Sequence, residues 1–375
     1  MQKIRALYLS PVPDFKGGAE RSLFDLLANP TVTPLLAVPE EGELSQRARL
    51  LGIPVIVIDF GTVHRVRRPF KIWHGIRALS DAWRASRRLL LAVETNKVDL
   101  VHTNGLKAHS IALLMKLGGA PRLVMHFRDI AYTAQEKAVW KLQTTLATRA
   151  IFVSRACYPG GQLPRNGRVI FNGIDPRPQV SLCPPAAVRI GFIGRIHPHK
   201  GLHTLLDWVH FANIHGIKTH VFVRGKFSQE APDYENEIKQ KVVTLGLQEF
   251  VTFEGFLNDP DAVYEGIDVV CAPAQAAEPL ARTILEPMSM GLPVIATPTG
   301  GTTEMILNNV TGFLVTEPEG FAQAITTVGT DPVAMSKIVT AGRDHVNKHF
   351  SKQKLHNSIH TLYSEILSER NSASN

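Results

Sequence analysis

The chain has 375 residues, of which 44% are hydrophobic, and its 41 Lys or Arg against 33 Asp or Glu give a formal net charge of +8. This length predicts two domains rather than one, and no apolar run approaches the ~20 residues that a transmembrane helix needs. Three unpatterned cysteines argue against a disulfide framework or a zinc site. The first residues lack the long apolar region of a signal peptide, so we expect a cytoplasmic protein.

Positive charge is concentrated in the first half of the chain. Residues 1–170 contain 25 Lys or Arg and 12 Asp or Glu, whereas the remainder contains 16 and 21. The densest basic segment, 65–91, interleaves arginines with Trp73, Trp83 and leucines. Such a helix suits peripheral contact with an anionic membrane, here the inner face of the cytoplasmic membrane. A structural helix whose tryptophans face the core fits equally well; nucleic acid fits less well, and we predict no nucleic-acid partner.

Short β-branched runs alternate with segments of helical period, which predicts parallel sheets joined by crossover helices. The pattern stops in a proline-rich segment and resumes at Val188. We therefore predict an α/β fold of two Rossmann-like, doubly wound domains that face each other across a cleft. The predicted parts are a first domain at 1–175, a linker at 176–187, a second domain at 188–352, a last helix at 353–369 and a disordered tail at 370–375.

Two cations occupy a predicted strand-to-helix loop of the second domain. Arg195 and Lys200 lie between a strand that ends near Ile193 and a helix that starts near Gly201. Two cations beside a helix N-terminus can hold a diphosphate. The glycines here do not match G-x-G-x-x-G, so a dinucleotide fingerprint is absent. A solvated surface loop would explain the same spacing.

Two carboxylates flank the predicted start of a later helix. Pro279 biases Glu278 away from helical geometry, and Glu286 follows about one turn inside the helix. Glu278 would suit the hydroxyls of a transferred hexose and Glu286 a ribose diol; alternatively, they are a helix-start acid and a surface residue. Backbone N–H groups between them would receive a phosphate oxygen, and these belong to Leu280, Ala281 and Arg282.

Weaker signals lie at other strand ends. Gly17 and Gly18, in the first strand-to-helix turn, allow a backbone to approach a ligand, although they also fit a purely conformational role. His126 ends a predicted strand and fits either a sugar contact or a satisfied buried histidine. The segment Asp259-Pro-Asp261 is similar to a metal-binding D-x-D, but we interpret it as a turn and helix N-cap, and we predict no metal site.

With these motifs in place, the chain resembles the retaining glycosyltransferases of family 4 (glycosyl transferases group 1), which have the GT-B fold. Gly-Arg-x₄-Lys-Gly at 194–201 and Glu-x₇-Glu at 278–286 carry the resemblance, which covers almost the whole chain. It implies that the last helix packs back on the first domain. It also implies catalytic roles for Arg195, Lys200, Glu278 and His126, and donor binding by Gly17, Gly18, Arg195, Lys200, Glu278, Leu280, Ala281, Arg282 and Glu286. One departure, Leu280-Ala281 where the family commonly has Phe-Gly, leaves the donor sugar open.

The predicted activity is thus retaining transfer of a hexosyl sugar from a nucleotide-diphosphate donor to a glycan or lipid-linked hydroxyl. We predict no cofactor and no divalent metal, because two cations would stabilise the leaving diphosphate. A nucleotide-sugar epimerase, a glycogen-type phosphorylase and a non-catalytic nucleotide-sugar-binding module remain alternatives. The sequence does not specify the base, the sugar, the acceptor or the oligomeric state.

Overall fold

The computed structural model describes residues 3–15, 17–61, 72–179, 187–260 and 262–373, without the side chains of 72–78 and 370–373. By internal contacts the chain divides into two compact units: Met1–Gly173 together with Lys352–Asn375, and Ile174–Ser351. Residues 174 and 175, predicted to end the first domain, and 176–179, predicted to begin the linker, therefore belong to the second unit. Residues 180–186 of the predicted linker lie outside the described residues.

The first unit is built on one parallel sheet. Its strands are β1 (Ile4–Leu9), β2 (Val32–Val38), β3 (Val55–Val57), β4 (Leu100–Asn104), β5 (Arg122–Phe127), β6 (Arg149–Phe152) and β7 (Gly167–Val169). Its helices are α1 (Gly18–Leu27), α2 (Glu43–Leu50), α3 (Ile72–Thr95), α4 (Leu106–Leu117) and α5 (Ala134–Leu146), with a 3₁₀ turn at Arg155–Cys157. The strand order is β3-β2-β1-β4-β5-β6-β7. Since β1 pairs with both β2 and β4, the order reverses there, as in a doubly wound fold.

The second unit repeats this plan. Its strands are β8 (Val188–Ile193), β9 (Thr219–Arg224), β10 (Val251–Gly255), β11 (Val269–Ala272), β12 (Val294–Ala296) and β13 (Phe313–Leu314). Its helices are α6 (Leu202–Ile214), α7 (Tyr234–Thr244), α8 (Arg282–Ser289), α9 (Thr302–Met305), α10 (Pro318–Thr330) and α11 (Pro332–His349), with 3₁₀ turns at Pro198–Lys200 and Ala262–Tyr264. All neighbours pair in parallel in the order β10-β9-β8-β11-β12-β13.

The predicted α/β class is confirmed, because both sheets are parallel and their strands are covered by crossover helices. Buried β-branched runs gave the signal: β1 and β8 begin and end where the sequence predicts. The four-residue α9 and two-residue β13 were not predicted, since so short an element has no measurable period. Within the described part of the chain, no helix combines the length and apolarity required to cross a membrane.

The last helix, α12 (Lys352–Ala373), packs on the sheet of the first unit. Lys352 Nζ lies 2.9 Å from Asp25 Oδ1, and His356 Nε2 lies 2.6 Å from the Asp25 carbonyl oxygen. This helix extends to Ala373, four residues into the segment predicted to be a disordered tail, and residues 374 and 375 lie outside the described ones. Five side chains of α12 join the same hydrophobic core as β1: Leu355, Ile359, Leu362, Tyr363 and Ile366.

Truncation of α12 within this core should destabilise the first unit. Ile359 is fully buried, so Ile359→Ala is expected to lower the free energy of unfolding by about 2–5 kcal/mol through lost burial and a residual cavity. Glu365, exposed on the same helix, is the matched control, and Glu365→Ala should change it by less than about 0.5 kcal/mol. Urea unfolding followed by circular dichroism measures both. Equal effects would mean that α12 is not part of the core.

Two glycines allow the loops after β8, β11 and β12 to meet. The first, Gly201, has φ +76°, and a Cβ there would lie 1.9 Å from the carbonyl oxygen of Pro273. Close by, the Gln275 N–H donates to the His199 carbonyl oxygen at 2.8 Å. The loop after β8 therefore lies backbone against backbone on the loop after β11.

The second glycine, Gly300, has φ +56°, and a Cβ there would lie 2.3 Å from the carbonyl oxygen of Glu278. The neighbouring Gly301 N–H donates to that same oxygen at 2.7 Å. Thus the loop after β12 holds the backbone of Glu278 in place. Only a residue without a side chain fits here, because both the positive φ and the close backbone exclude a Cβ.

Two variants separate the cost of a positive φ at Gly201 from the cost of the nearby Pro273 carbonyl. Gly216 has φ +81° but open space around it, so Gly216→Ala should cost only the ~1–2 kcal/mol of a left-handed L-residue. Gly201→Ala should cost about 1–3 kcal/mol more, since the Pro273 carbonyl must also move. Urea unfolding of both variants gives the difference. If the two cost the same, the loops after β8 and β11 do not touch at Gly201.

Candidate functional site

An ion pair between Lys200 and Glu278 joins two loops of the second unit. The Lys200 ammonium contacts Glu278 Oε1, and these side chains are 32% and 16% exposed. Lys200 follows β8 and Glu278 follows β11, so the pair joins two strand ends that are neighbours in the sheet. A Cβ placed on Gly194 would lie 3.6 Å from Thr283 Cγ2. The loop after β8 therefore lies against the first turn of α8 as well.

Helix α8 begins at Arg282, within the range 280–282 in which the sequence predicts its start. Ala281 is its N-cap and offers no side-chain cap, while its carbonyl accepts from the N–H of Ile284 at 3.1 Å and of Leu285 at 3.3 Å. The first two helical N–H groups thus belong to Arg282 and Thr283. Leu280 and Ala281 are buried residues that precede the helix. Of the three residues whose amides are predicted to face a phosphate, Arg282 carries one of these two N–H groups.

Arg195 makes a different contact from Lys200. Its Nη1 lies 2.9 Å from Glu230 Oε2, and the two side chains are 57% and 71% exposed. An exposed pair of this kind is worth only about 0–1 kcal/mol. The Arg195 guanidinium can therefore exchange Glu230 for a ligand at small cost.

Glu286 is buried rather than exposed, so the surface-residue alternative is wrong. Arg282 Nε donates to its Oε1 at 3.0 Å, and the Tyr264 hydroxyl donates to its Oε2 at 3.0 Å. Arg177 Nη2 lies 3.7 Å from the same Oε2. The pKa of Tyr264 is raised well above its usual value, mainly by burial and secondly by the Glu286 charge. This hydroxyl therefore keeps its proton and stays a donor. The site thus holds a desolvated carboxylate that is compensated by two hydrogen bonds and by the charge of Arg177.

Sequence reasoning missed the residues that support Glu286. Arg224, at the carboxyl end of β9, is buried and donates from Nη1 to the carbonyls of Val263 at 2.9 Å and Glu265 at 2.8 Å. It therefore anchors the turn that carries Tyr264. The arginine at the end of a buried strand was the available signal for such a role. Its partners could not be identified from the sequence, because they lie about 40 residues away.

In the first unit, His126 is fully buried near the end of β5. Its Nδ1 lies 3.1 Å from His102 Nε2 and 3.3 Å from Arg128 Nη2, whereas its Nε2 has no hydrogen-bond partner among the described residues. It is therefore buried but only half satisfied. Gly17 and Gly18 stand at the amino end of α1, where the Gly17 N–H donates to Glu20 Oε2 at 2.8 Å.

The expectation of no divalent metal stays a prediction. Within the described ranges, no group of three or more His, Cys, Asp or Glu side chains could hold a metal ion. Asp261 of the D-x-D segment lies outside those ranges, and the 3₁₀ turn Ala262–Tyr264 follows it.

Comparison with known proteins gives matches at both the sequence and the fold level. Residues 187–331 match the family model "Glycosyl transferases group 1". The chain is 29% identical over 228 residues to the putative glycosyltransferase YtcC of Bacillus subtilis, covering 54% of this chain and 56% of that protein. It is 25% identical over 182 residues to the capsular polysaccharide biosynthesis glycosyltransferase CapM of Staphylococcus aureus, covering 48% and 47%. The matches thus span about half the length of these relatives.

A solved structure extends the fold comparison to nearly the whole chain. The crystal structure of HepE of Anabaena in complex with UDP superposes with a TM-score of 0.79 at 23% identity, covering 97% of this chain and 100% of that one. Two Rossmann-like units that follow one another in a single chain are characteristic of the GT-B fold. Residues 187–331 therefore form a domain of the glycosyl transferases group 1 family, within a chain of GT-B fold.

Proposed function

We propose that the chain is a retaining glycosyltransferase that moves a hexosyl sugar from a nucleotide-diphosphate donor to a hydroxyl of a glycan or lipid-linked acceptor. The observation that carries the proposal is the Lys200–Glu278 pair, which joins the loops after β8 and β11 beside the start of α8. The family match of residues 187–331 supports it. So does the UDP bound in the HepE structure of the same fold.

A diphosphate finds complementary charge at this position. The Lys200 ammonium would contact one phosphate, and the N–H groups of Arg282 and Thr283 at the start of α8 would contact another oxygen, helped by the helix dipole. Arg195 would turn from Glu230 to the same group, since its exposed ion pair is weak. These donors replace the divalent cation that other transferases use to balance a diphosphate.

The two carboxylates would hold the sugars. Glu278 accepts from Lys200 through Oε1, which leaves Oε2 to accept a hydroxyl of the hexose. Glu286 is oriented by Tyr264 and Arg282, and each carboxylate oxygen has a second lone pair with which to accept from the ribose diol. Carboxylates near a diphosphate are tolerated because sugar hydroxyls donate to them.

The reaction breaks the bond between the anomeric carbon and a phosphate oxygen and forms a bond from that carbon to the acceptor oxygen. Lys200, Arg195 and the α8 amides stabilise the charge that develops on the departing phosphate. The acceptor attacks from the face that the phosphate leaves, and the phosphate oxygen takes the acceptor's proton. This route retains the anomeric configuration and requires no protein nucleophile.

Removal of the Lys200 charge is the direct test. Lys200→Ala should lower kcat for transfer by about 10²–10³-fold, as loss of one leaving-group donor does, and should abolish the thermal shift that a nucleoside diphosphate produces. Lys218, exposed at the amino end of β9, is the matched control, and Lys218→Ala should behave as wild type. Sugar transfer is measured with a panel of UDP-, GDP- and ADP-sugars.

Each other outcome of that assay has a meaning. Transfer by Lys200→Ala at the wild-type rate would contradict the assignment. Donor turnover that needs no acceptor would indicate an epimerase. Donor binding with neither hydrolysis nor transfer would indicate a binding module.

We also infer that α3 contacts an anionic membrane, which would bring the protein to a lipid-linked acceptor. Trp83 is 48% exposed, which argues against a purely structural helix whose tryptophans face the core. Arg84, Arg87 and Arg88 are exposed beside it, and Leu79 and Leu91 on the same helix are exposed as well. Residues 65–71, the first part of the basic segment, lie outside the described residues.

Charge removal on α3 should weaken membrane binding. At ~1 kcal/mol for each basic residue near an anionic surface, the triple variant Arg84→Gln, Arg87→Gln, Arg88→Gln should bind phosphatidylglycerol vesicles about 100-fold more weakly. Vesicle co-sedimentation measures this, with phosphatidylcholine vesicles as the control. Equal binding of wild type and triple variant would contradict the inference.

A further inference from the structure

A hydrogen-bonded chain of side chains runs through the core of the first unit from α12 to β5. The Tyr363 hydroxyl lies 2.6 Å from His102 Nδ1, and His102 Nε2 lies 3.1 Å from His126 Nδ1. The Tyr8 hydroxyl lies 3.2 Å from that of Tyr363. All four side chains are fully buried. Sequence reasoning assigned a role to His126 but none to Tyr363 or Tyr8.

Arg128 determines which ring nitrogens of His126 and His102 carry a proton. Its guanidinium donates from Nε to Asn104 Oδ1 and from Nη1 to Asn172 Oδ1, the latter at 2.6 Å, and these two amides fix its plane. Its Nη2 lies 3.3 Å from His126 Nδ1. A guanidinium can only donate, so His126 Nδ1 must accept.

Both histidines are neutral. The pKa values of His102 and His126 lie well below the usual histidine value, mainly because both rings are buried and secondly because of the Arg128 charge. A neutral imidazole has one N–H. Since His126 Nδ1 is an acceptor, its proton is on Nε2. His102 then donates from Nε2 to His126 and accepts at Nδ1 from the Tyr363 hydroxyl.

The hydrogen-bonded series of side chains ends at the His126 Nε2–H group, a donor without an acceptor among the described residues. His126 Nε2 is buried and has no hydrogen-bond partner among the described residues, and a buried N–H left unpaired costs about 1–3 kcal/mol. His126 is the next-to-last residue of β5, paired with Asn104, the last residue of β4. In doubly wound sheets this edge, at the carboxyl ends of the strands, is where ligands bind.

We propose that Arg128, His102 and Tyr363 are positioning residues that fix His126, to which the family resemblance assigns a catalytic role, as the Nε2–H tautomer. What this N–H contributes to sugar transfer rests on the proposed function. The tautomer itself follows from the hydrogen bonds alone. The last helix therefore supplies, through Tyr363, one end of the chain that orients a residue of β5.

The tautomer is measurable without activity. Long-range ¹H–¹⁵N correlation spectra of ¹⁵N-histidine-labelled protein, assigned with His102→Gln and His126→Gln, should show both rings protonated at Nε2 only. A His126 ring protonated at Nδ1, or at both nitrogens, would overturn the proposal. If the tautomers are as stated but no sugar is transferred, the proposed function fails while the assignment of the protons stands.

Two tyrosine variants test positioning. Tyr363→Phe keeps the ring but removes the donor to His102 Nδ1. Both rings should stay protonated at Nε2, but the His102 Nδ1 resonance should shift to that of an acceptor without a hydrogen bond, and kcat should fall about tenfold with KM changed less than twofold. Tyr234→Phe is the matched control, because it removes a hydroxyl that lies 2.7 Å from Nδ1 of a different histidine, His203 in the second unit. It should leave the His102 and His126 signals and kcat unchanged. Equal effects of the two variants, or an unchanged spectrum of Tyr363→Phe, would overturn the role of Tyr363.

Discussion

The close approach of three loops in the second unit is the constraint on which the candidate site depends. Gly201 and Gly300 both have positive φ and both face a backbone carbonyl where a Cβ would stand, that of Pro273 for the first and of Glu278 for the second. Because these loops touch, Lys200 reaches Glu278 although they are 78 positions apart in sequence. Charge concentrated beside a helix start in this way is suited to a phosphate group.

Much of this arrangement was predictable from local sequence. The alternation of buried strands and amphipathic helices predicted both parallel sheets. The spacing of Arg195, Lys200 and Glu278 pointed to the loops that follow strand ends, and that of Glu286 to the helix after one of these loops. The fold prediction is confirmed by the parallel strand order of both units and by the fold of HepE. The functional roles of the four residues remain predictions.

Contacts between residues distant in sequence account for what the sequence did not predict. The exact start of α8 depends on where its first backbone hydrogen bonds form, and the sequence limited it only to residues 280–282. The ion-pair partner Arg177 and the donor Tyr264 lie 109 and 22 positions from Glu286. The partners of His126 likewise include Tyr363, linked to it through His102. No periodicity or motif reports such pairings, because they arise only when separate elements pack.

The two units use their buried polar groups in a similar way. In the second, Arg282 and Tyr264 orient a carboxylate, and in the first, Arg128 and His102 orient an imidazole; each polar side chain is held by donors fixed in the core. The most direct test of the account is the structure of the protein with a bound nucleoside diphosphate. We expect the terminal phosphate within about 3 Å of the Thr283 N–H and in contact with Lys200. A diphosphate bound away from the start of α8 would contradict the account.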